Sequence, residues 1–531
     1  MNPDRFQTLI EMLAVRAIET GSRPAFTFKE TSVTFRQLWE GVNHFGSYLL
    51  KKGMQPGERV LTALPNGPEF FYAFYGIQRA GGIAVPVFPL AGPERIIAIA
   101  QLCDAHKVVV PSMLPGDQLA QLREIARAAD LDVLITAERA GTSQDSDFPE
   151  IRPEQVAFLQ YTSGSTGNPK GVIITQANLL TNVRQMIAGM EITPEDVFVS
   201  WLPVYHDMGL ILKTMVPFYL AAELFLLPTN LRDVKPWLEA IEEHKGTFTA
   251  APDFAYRLVL RKTEPFEYDL SCLRVALNAA EPVRETTITS FHQHFGLKNV
   301  MVAGYGLAEA TVGVSMWPPG TPNRIDAKGA PSVGVPFPGV EAAIVCGDQF
   351  QSPGQLGEIT IRSTANSLGY FNNQAENEKL FWKDGYLLSG DLGYLDADGY
   401  LYIISRKKNI LKRSGVTISP WEIEEVVDRR GEVRYSAAIG IDRGSVEGEQ
   451  IVLFAEIRNG EQMPDQARHE LAVGIVADIH DYMGFRPARV YLLKPKGIPL
   501  TDNGKVQHVR LRELFINGSL RQRGVILYPE V

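Results

Sequence analysis

The chain has 531 residues, 45% of them hydrophobic and 21% charged, the balance of an ordinary globular protein rather than a disordered one. A net charge of −9 gives no electrostatic support for nucleic-acid binding, and the three cysteines, Cys103, Cys272 and Cys346, lack metal-ligand spacing and suit idle thiols in a reducing cytosol. At roughly 150 residues per domain, the length allows several domains or one large one with an appendage. The N-terminus has no basic segment before an apolar core, so no signal peptide is expected. Phe6, Ile10, Leu13 and Ala14 stand at helical spacing. Thr34 and Gln37 have capping-box spacing before an apolar stripe of Phe35, Leu38, Val42, Phe45 and Leu49. Strand-like and helical runs then alternate: Arg59 to Ala63 before a helix from Glu69 to Arg79, then Ile83 to Phe88 and Lys107 to Pro111 around a helix near Pro93 to Cys103. This alternation predicts largely parallel sheet covered by helices.

An apolar run, Val156 to Leu159, and a β-branched run, Val172 to Thr175, flank Tyr161-Thr162-Ser163-Gly164-Ser165-Thr166-Gly167-Asn168-Pro169-Lys170-Gly171. Glycines let backbone N–H groups converge on one point, and the hydroxyls and Lys170 add donors, so the loop is suited to a polyphosphate. It is not a Walker A loop: Pro169 stands where the second glycine belongs, and Gly171 follows the lysine. Further on, a strand-like Phe198 to Leu202 leads to His206-Asp207-Met208-Gly209-Leu210, where a histidine at a strand-to-helix junction can orient a carboxylate or gate a pocket. Leu210 to Pro228 is the most apolar long run; Lys213, Pro217 and Glu223 interrupt it, which predicts a buried helix and strand and no membrane span. The helix opened by Pro252-Asp253-Phe254-Ala255-Tyr256 is suited equally to an acyl pocket and to core packing.

The strand Leu273 to Leu277 runs into Asn278-Ala279-Ala280-Glu281-Pro282, and Asn299 to Ala303 into Gly304-Tyr305-Gly306-Leu307-Ala308-Glu309. A tyrosine between glycines can lie flat on a purine, and a carboxylate four residues on can hold magnesium. From Gly339 the texture becomes short strands and tight turns, with a hairpin at Asp396-Ala397-Asp398-Gly399. Within it Ser389-Gly390-Asp391 places a carboxylate suited to a ribose diol, with Arg406 on the next strand. Ser419-Pro420-Trp421-Glu422 starts a helix with a capping serine and Pro at the first position. Asn503-Gly504 predicts a turn that thrusts Lys505 forward, where an ammonium can neutralise charge on phosphate and carboxylate.

These strings resemble, over nearly the whole chain, the adenylate-forming (acyl-activating, AMP-binding) superfamily, and look most like its fatty acyl-AMP ligase and acyl-CoA synthetase branch. The resemblance implies catalytic roles for Lys505 and His206. It implies ATP or AMP contacts for Thr162, Ser163, Gly164, Ser165, Thr166, Gly167, Lys170, Ala280, Glu281, Tyr305, Gly306, Asp391 and Arg406. Glu309 and Thr166 fall to magnesium, Lys408 to a hinge, and Gly415 to a tunnel for a thiol. Ala279 replaces the branch's usual glycine, and its methyl is expected to crowd the nucleotide. The implied fold is α/β: a large N-terminal domain (1–407) of mixed, largely parallel sheets with a small antiparallel sub-barrel at about 335–407, then a small mobile α+β domain (408–531) carrying the catalytic lysine. The implied reaction is ATP-dependent conversion of a fatty acid to acyl-AMP with release of pyrophosphate, then transfer to a phosphopantetheine thiol, on acyl carrier protein ahead of free CoA. Only Phe371 to Leu388 separate Gly369-Tyr370 from Ser389, without the insertion acyl-AMP ligases usually carry there, which keeps CoA open. An amino-acid or aryl-acid adenylating enzyme is the second alternative, with Asp207 as a partner for a substrate amine. A cytoplasmic location is expected, with no nucleic-acid partner.

Overall fold

The computed structural model describes residues 5–529 except 90–91, 140–146, 163–168, 230–232, 328, 414–415, 442–448 and 502–504. Among the described residues the strands form five sheets. The first holds, in spatial order, Asp132–Ile135, Lys107–Val110, Arg59–Thr62, Ile83–Pro86, Val156–Thr162 and Lys170–Thr175. Only its last strand runs antiparallel. Along these strands alternate residues enter two cores: Val60, Ala84, Val109 and Phe158 on one face, Leu61, Val85, Val108 and Leu159 on the other. Burial of both faces explains their near-continuous apolar sequence.

The second sheet has nine strands, and its parallel centre is Met301–Gly306, Val275–Asn278, Phe248–Ala251 and Val197–Ser200. Their carboxyl ends therefore open on one edge, where open α/β sheets bind ligands. One continuous core joins both large sheets to the helices Phe35–Lys51, Pro68–Arg79 and Gln176–Gly189. The expected capping box closes on the first of these: Gln37 N–H donates to Thr34 Oγ1 at 3.2 Å and Thr34 N–H to Gln37 Oε1 at 2.9 Å.

A five-stranded antiparallel sheet follows, with Val340–Cys346, Gly357–Ser363, Leu387–Leu395 and Leu401–Arg406 as its longer strands. Its expected hairpin is present, with Asp396 N–H bonded to Tyr400 O at 2.9 Å and Gly399 N–H to Asp396 O at 3.1 Å. The C-terminal lobe is a four-stranded sheet of Val433–Ile441, Gln450–Ile457, Arg489–Leu493 and Ile526–Tyr528, packed with the helices Pro420–Asp428, Asp465–Met483 and His508–Ile516. It has its own apolar clusters on both faces of that sheet. Glu422 returns to the Ser419 N–H at 3.3 Å, as its capping spacing predicts. Among the described residues no helix is long and apolar enough to cross a membrane.

Candidate active site

Two sheets meet at Tyr305. It ends the strand Met301–Gly306 of the nine-stranded sheet, while in the five-stranded sheet Asp391 lies opposite Arg406. That register puts Arg406 Nε 2.8 Å from Asp391 Oδ1, and the Tyr305 hydroxyl donates to Asp391 Oδ2 at 2.6 Å. Ser389 fixes the corner: its hydroxyl accepts from Asp391 N–H at 3.0 Å and its carbonyl from Arg406 at 3.2 Å. Burial raises the Asp391 pKa against the opposing pull of Arg406 and Tyr305. A carboxylate oxygen can accept more than one hydrogen bond, so Asp391 retains capacity for a diol.

Gly306 is a packing necessity, because a Cβ there would lie 1.8 Å from the Val312 carbonyl oxygen. The short turn Ala308–Ala310 then presents Glu309. Thr311 follows at φ 71° and ψ −61°, with Val312 N–H donating to Ala310 O at 3.0 Å. This is the rare, strained γ-turn of positive φ, and a β-branched residue is an outlier there. The Thr311 hydroxyl bonds the Ala365 carbonyl, which ties the residue in place. Strain persists where the surroundings over-determine it, and here it lies two residues from Glu309. The Tyr370 hydroxyl donates to Glu309 Oε1 at 2.6 Å.

The turn after Val275–Asn278 carries two alanines in different settings. Ala279, whose methyl was expected to crowd the nucleotide, is buried in the main core. The conformationally costly residue is exposed Ala280, at φ 72°. Glu281 accepts from the Phe254 N–H, and burial, with Asp253 next, raises its pKa. The helix Asp253–Lys262 packs in the core on one side and borders a cavity on another. Tyr256 is fully buried with its hydroxyl on Leu277 O at 3.0 Å, whereas Phe254, Ala255 and Leu258 line a cavity of about 110 Å³ with Trp201 and Trp237.

Thr162 and Lys170 face each other across an antiparallel pair and form the two ends of the predicted phosphate loop. Ser163, Gly164, Ser165, Thr166 and Gly167 lie outside the described residues, as does Gly415. The Lys170 ammonium pairs with Glu376 and sits 4.8 Å from the Tyr370 ring centroid. Hydrogen bonds from Lys170 and Lys379 hold the Glu376 carboxyl down to about 2.

His206 and Asp207 lead from Val197–Ser200 into a π-helix, Met208–Met215. The His206 ring packs 4.9 Å from that of Tyr205. Asp207 accepts from the Met208 N–H at 2.7 Å; burial raises its pKa, while that N–H and the Lys505 ammonium lower it. Lys505 comes from the C-terminal lobe. Thr501 N–H donates to Lys505 O at 2.8 Å and Lys505 N–H to Thr501 Oγ1 at 3.1 Å; the predicted Asn503-Gly504 turn lies outside the described residues. Burial lowers the Lys505 pKa; Asp207, Glu281 and Asp391 oppose that shift, and Arg406 adds to it. One ammonium thus stands in the field of three carboxylates from three segments. Lys408, in the turn Lys407–Asn409 after the last strand of the five-stranded sheet, is pushed down to about 8 by burial, then by Arg406 and Lys170.

Tyr370 and Glu376 were not assigned roles from sequence, since nothing local ties them to Glu309 and Lys170. Their signal is long-range: Phe371 N–H bonds Gly171 O at 2.8 Å and Ile173 N–H bonds Gly369 O at 2.8 Å, strapping this segment to the strand after the phosphate loop. Among the described residues no group of three or more His, Cys, Asp or Glu side chains is arranged to hold a metal. Glu309 offers a single carboxylate, which fits a magnesium ion held mainly by phosphate oxygens and water.

A carboxylate corner between two sheets, entered by a lysine from a separate lobe, has the form of a nucleotide-handling enzyme. The AMP-binding enzyme family matches residues 13–371, more than half the chain, and the chain belongs to that family. It is 31% identical to the long-chain-fatty-acid–CoA ligase of Salmonella typhimurium, with 86% of each chain covered. It is 28% identical to the medium-chain-fatty-acid–acyl-carrier-protein ligase JamA of Moorena producens, covering 98% of this chain and 97% of that one. Among solved structures, one from a study of fatty acyl-adenylate ligases from E. coli and L. pneumophila superposes with a TM-score of 0.87 at 27% identity, covering 98% of this chain and 99% of the other. McyG A-PCP complexed with phenylalanyl-adenylate gives a TM-score of 0.88 at 24% identity, covering 98% and 84%, a likeness of fold.

Proposed function

We propose that this ligase activates a fatty acid by adenylation and passes the acyl group to a phosphopantetheine thiol, with a carrier protein as the acceptor. The observation that carries the reading is the buried Tyr305–Asp391–Arg406 corner, with the Lys505 ammonium within the electrostatic reach of Asp391, Glu281 and Asp207. In the first step a carboxylate oxygen of the acid attacks the α-phosphorus of ATP. The bond to the bridging oxygen breaks, and pyrophosphate leaves with the electron pair. Lys505 stabilises the charge that gathers on the α-phosphate, Asp391 and Arg406 hold the ribose, and the 162–170 loop holds the departing phosphates. Magnesium on Glu309 and Thr166 would supply neutralising charge for those phosphates. In the second step the thiol sulfur attacks the acyl carbonyl, AMP departs, and the thiol proton is released. Residues 1–407 and 408–531 act as separate domains in this scheme, with Lys408 as the hinge and Gly415 beside the thiol's path.

The acyl chain is assigned to the cavity beside Phe254, whose N–H also bonds Glu281. At about 110 Å³ it is smaller than the roughly 150 Å³ cavity that holds benzene, so a medium or long chain enters only by displacing lining side chains. Free CoA is the second reading, favoured by the short 371–388 segment, which folds as the helix Gln374–Leu380 and places Glu376 on Lys170. The test is product analysis by mass spectrometry with C4 to C18, aryl and amino acids, run without acceptor, with CoA, and with phosphopantetheinylated carrier protein. Fatty acyl-AMP that converts only on carrier protein supports the reading. Rapid acyl-CoA formation replaces the acceptor, and activation of amino acids alone overturns it.

A further inference from the structure

A second charge cluster lies away from the nucleotide corner and spans the two parts of the chain. Asp253 opens the helix Asp253–Lys262, has a fully buried side chain, and pairs with Arg257 Nε at 3.0 Å and Arg284 Nη1 at 3.2 Å. The same two arginines reach across to Asp428 of the C-terminal lobe, Arg284 Nη2 at 3.1 Å and Arg257 Nη1 at 3.7 Å. Asp428 is the last residue of the helix Pro420–Asp428, and the Ser436 hydroxyl donates to its Oδ1 at 2.8 Å. A carboxylate at a helix C-terminus opposes the helix dipole, so its own lobe does not favour it there; the arginines across the interface do.

The N-terminal half of the cluster is built on the site. Arg284 is three residues beyond Glu281, and the residue after Asp253 donates its N–H to Glu281, one of the carboxylates facing Lys505. Asp253 also accepts from Asn278 Nδ2 at 3.0 Å and Arg284 N–H at 3.3 Å, so it stays in place whether or not the lobe is present. Two guanidiniums then face Asp253, and Asp428 is the carboxylate of the C-terminal lobe that both of them reach, with Glu281 and Glu425 adding to the negative field on Arg284. Burial raises the Asp428 pKa more than Arg284 and Arg257 lower it, so the arginines do not fully offset its loss of water. A contact of that kind is firm enough to orient the lobe and weak enough to let go.

We propose that Asp428 is a positioning residue for adenylation: seated between Arg257 and Arg284, it holds the C-terminal lobe where Lys505 meets Glu281, and its withdrawal accompanies the thiol-transfer step. The proposal rests on the adenylation reading above. Its test is Asp428→Asn, which keeps the shape and removes the charge, assayed in each half-reaction with the acid the unaltered enzyme activates best. Acid-dependent ATP–pyrophosphate exchange should fall roughly 10-fold in kcat, the size of a typical coupling between sites, with ATP affinity unchanged. Thioester formation from supplied acyl-adenylate, with the acceptor the unaltered enzyme uses, should be equal or faster. Asp428→Glu, which keeps the charge, should recover most of the exchange, and Arg284→Gln, which also takes a partner from Asp253, should cost more alone but, combined with Asp428→Asn, less than the two losses multiplied. Exchange within two-fold of the unaltered enzyme, or equal loss in both half-reactions as from a damaged lobe, overturns the proposal. No acid-dependent exchange by the unaltered enzyme would instead overturn the adenylation reading itself.

Discussion

Asp391 meets Arg406 because the two are register partners on neighbouring strands, whereas Asp428 meets Arg284 only because two lobes lie against each other. The sheet holds the backbones of the first pair in register, whereas the second has no shared backbone ladder and depends on how the lobe is seated. The Tyr305–Asp391–Arg406 corner is therefore preformed, and in the proposed scheme Lys505 is delivered to it through a reversible contact. Nucleotide affinity and adenylation rate should consequently respond to different substitutions.

The largest expected effect is on the delivered side. Lys505→Ala should lower acid-dependent pyrophosphate exchange by about 100- to 1000-fold, as loss of one preorganised charge-stabilising group does, with ATP affinity by calorimetry nearly unchanged. On the preformed side, Asp391→Asn should raise the ATP KM roughly 10- to 100-fold, the worth of hydrogen bonds to a charged group, with less effect on kcat. Tyr305→Phe removes only the hydroxyl that donates to Asp391 and should raise the ATP KM by about 2- to 10-fold. Equal losses of rate and affinity in all three variants would erase the distinction between the two regions.

The smallest effect belongs to the lobe alone. His508 Nε2 lies 2.6 Å from Glu424 Oε1; burial lowers its pKa, but Glu424 outweighs this and raises it above the ordinary 6.5. The pair's stabilisation is thus fully present below pH 6.5 and is lost as pH rises through the higher folded value. Thermal unfolding of the lobe should drop by about 2 °C across that window, and His508→Asn should flatten the dependence. A corner built by strand register should show no matching change.

The preformed region was also the more legible one in the sequence. Tyr305 and Arg406 sit at or next to strand ends and Asp391 follows Gly390 within a strand, and the strings around them carry both fold and placement. The interface was not legible: Arg284 and Asp428 are 144 residues apart, and neither has a local pattern that distinguishes it from a solvated charge. The π-helix was read only as a buried helix, since a widened turn has no sequence period of its own. Gly209 permits it, for a Cβ there would lie 2.1 Å from the Pro203 carbonyl oxygen. Lys213 interrupts an apolar run, yet it is wholly buried, with Nζ on Phe248 O at 2.9 Å and the rings of Phe198 and Phe248 4.8 and 4.5 Å away. Tertiary partners, not composition, decide such a position. The turn after Asn278 was located by spacing, and only the backbone shows that Ala280 occupies its exposed, left-handed position.

The central claim is that this chain joins a carboxylic acid to AMP before any thiol is involved. Radiolabelled pyrophosphate–ATP exchange by the unaltered chain, with magnesium and a fatty acid but no acceptor, tests it most directly. The account predicts exchange that appears only when the acid is added. Exchange without acid, or none with any acid while ATP still binds, would contradict it.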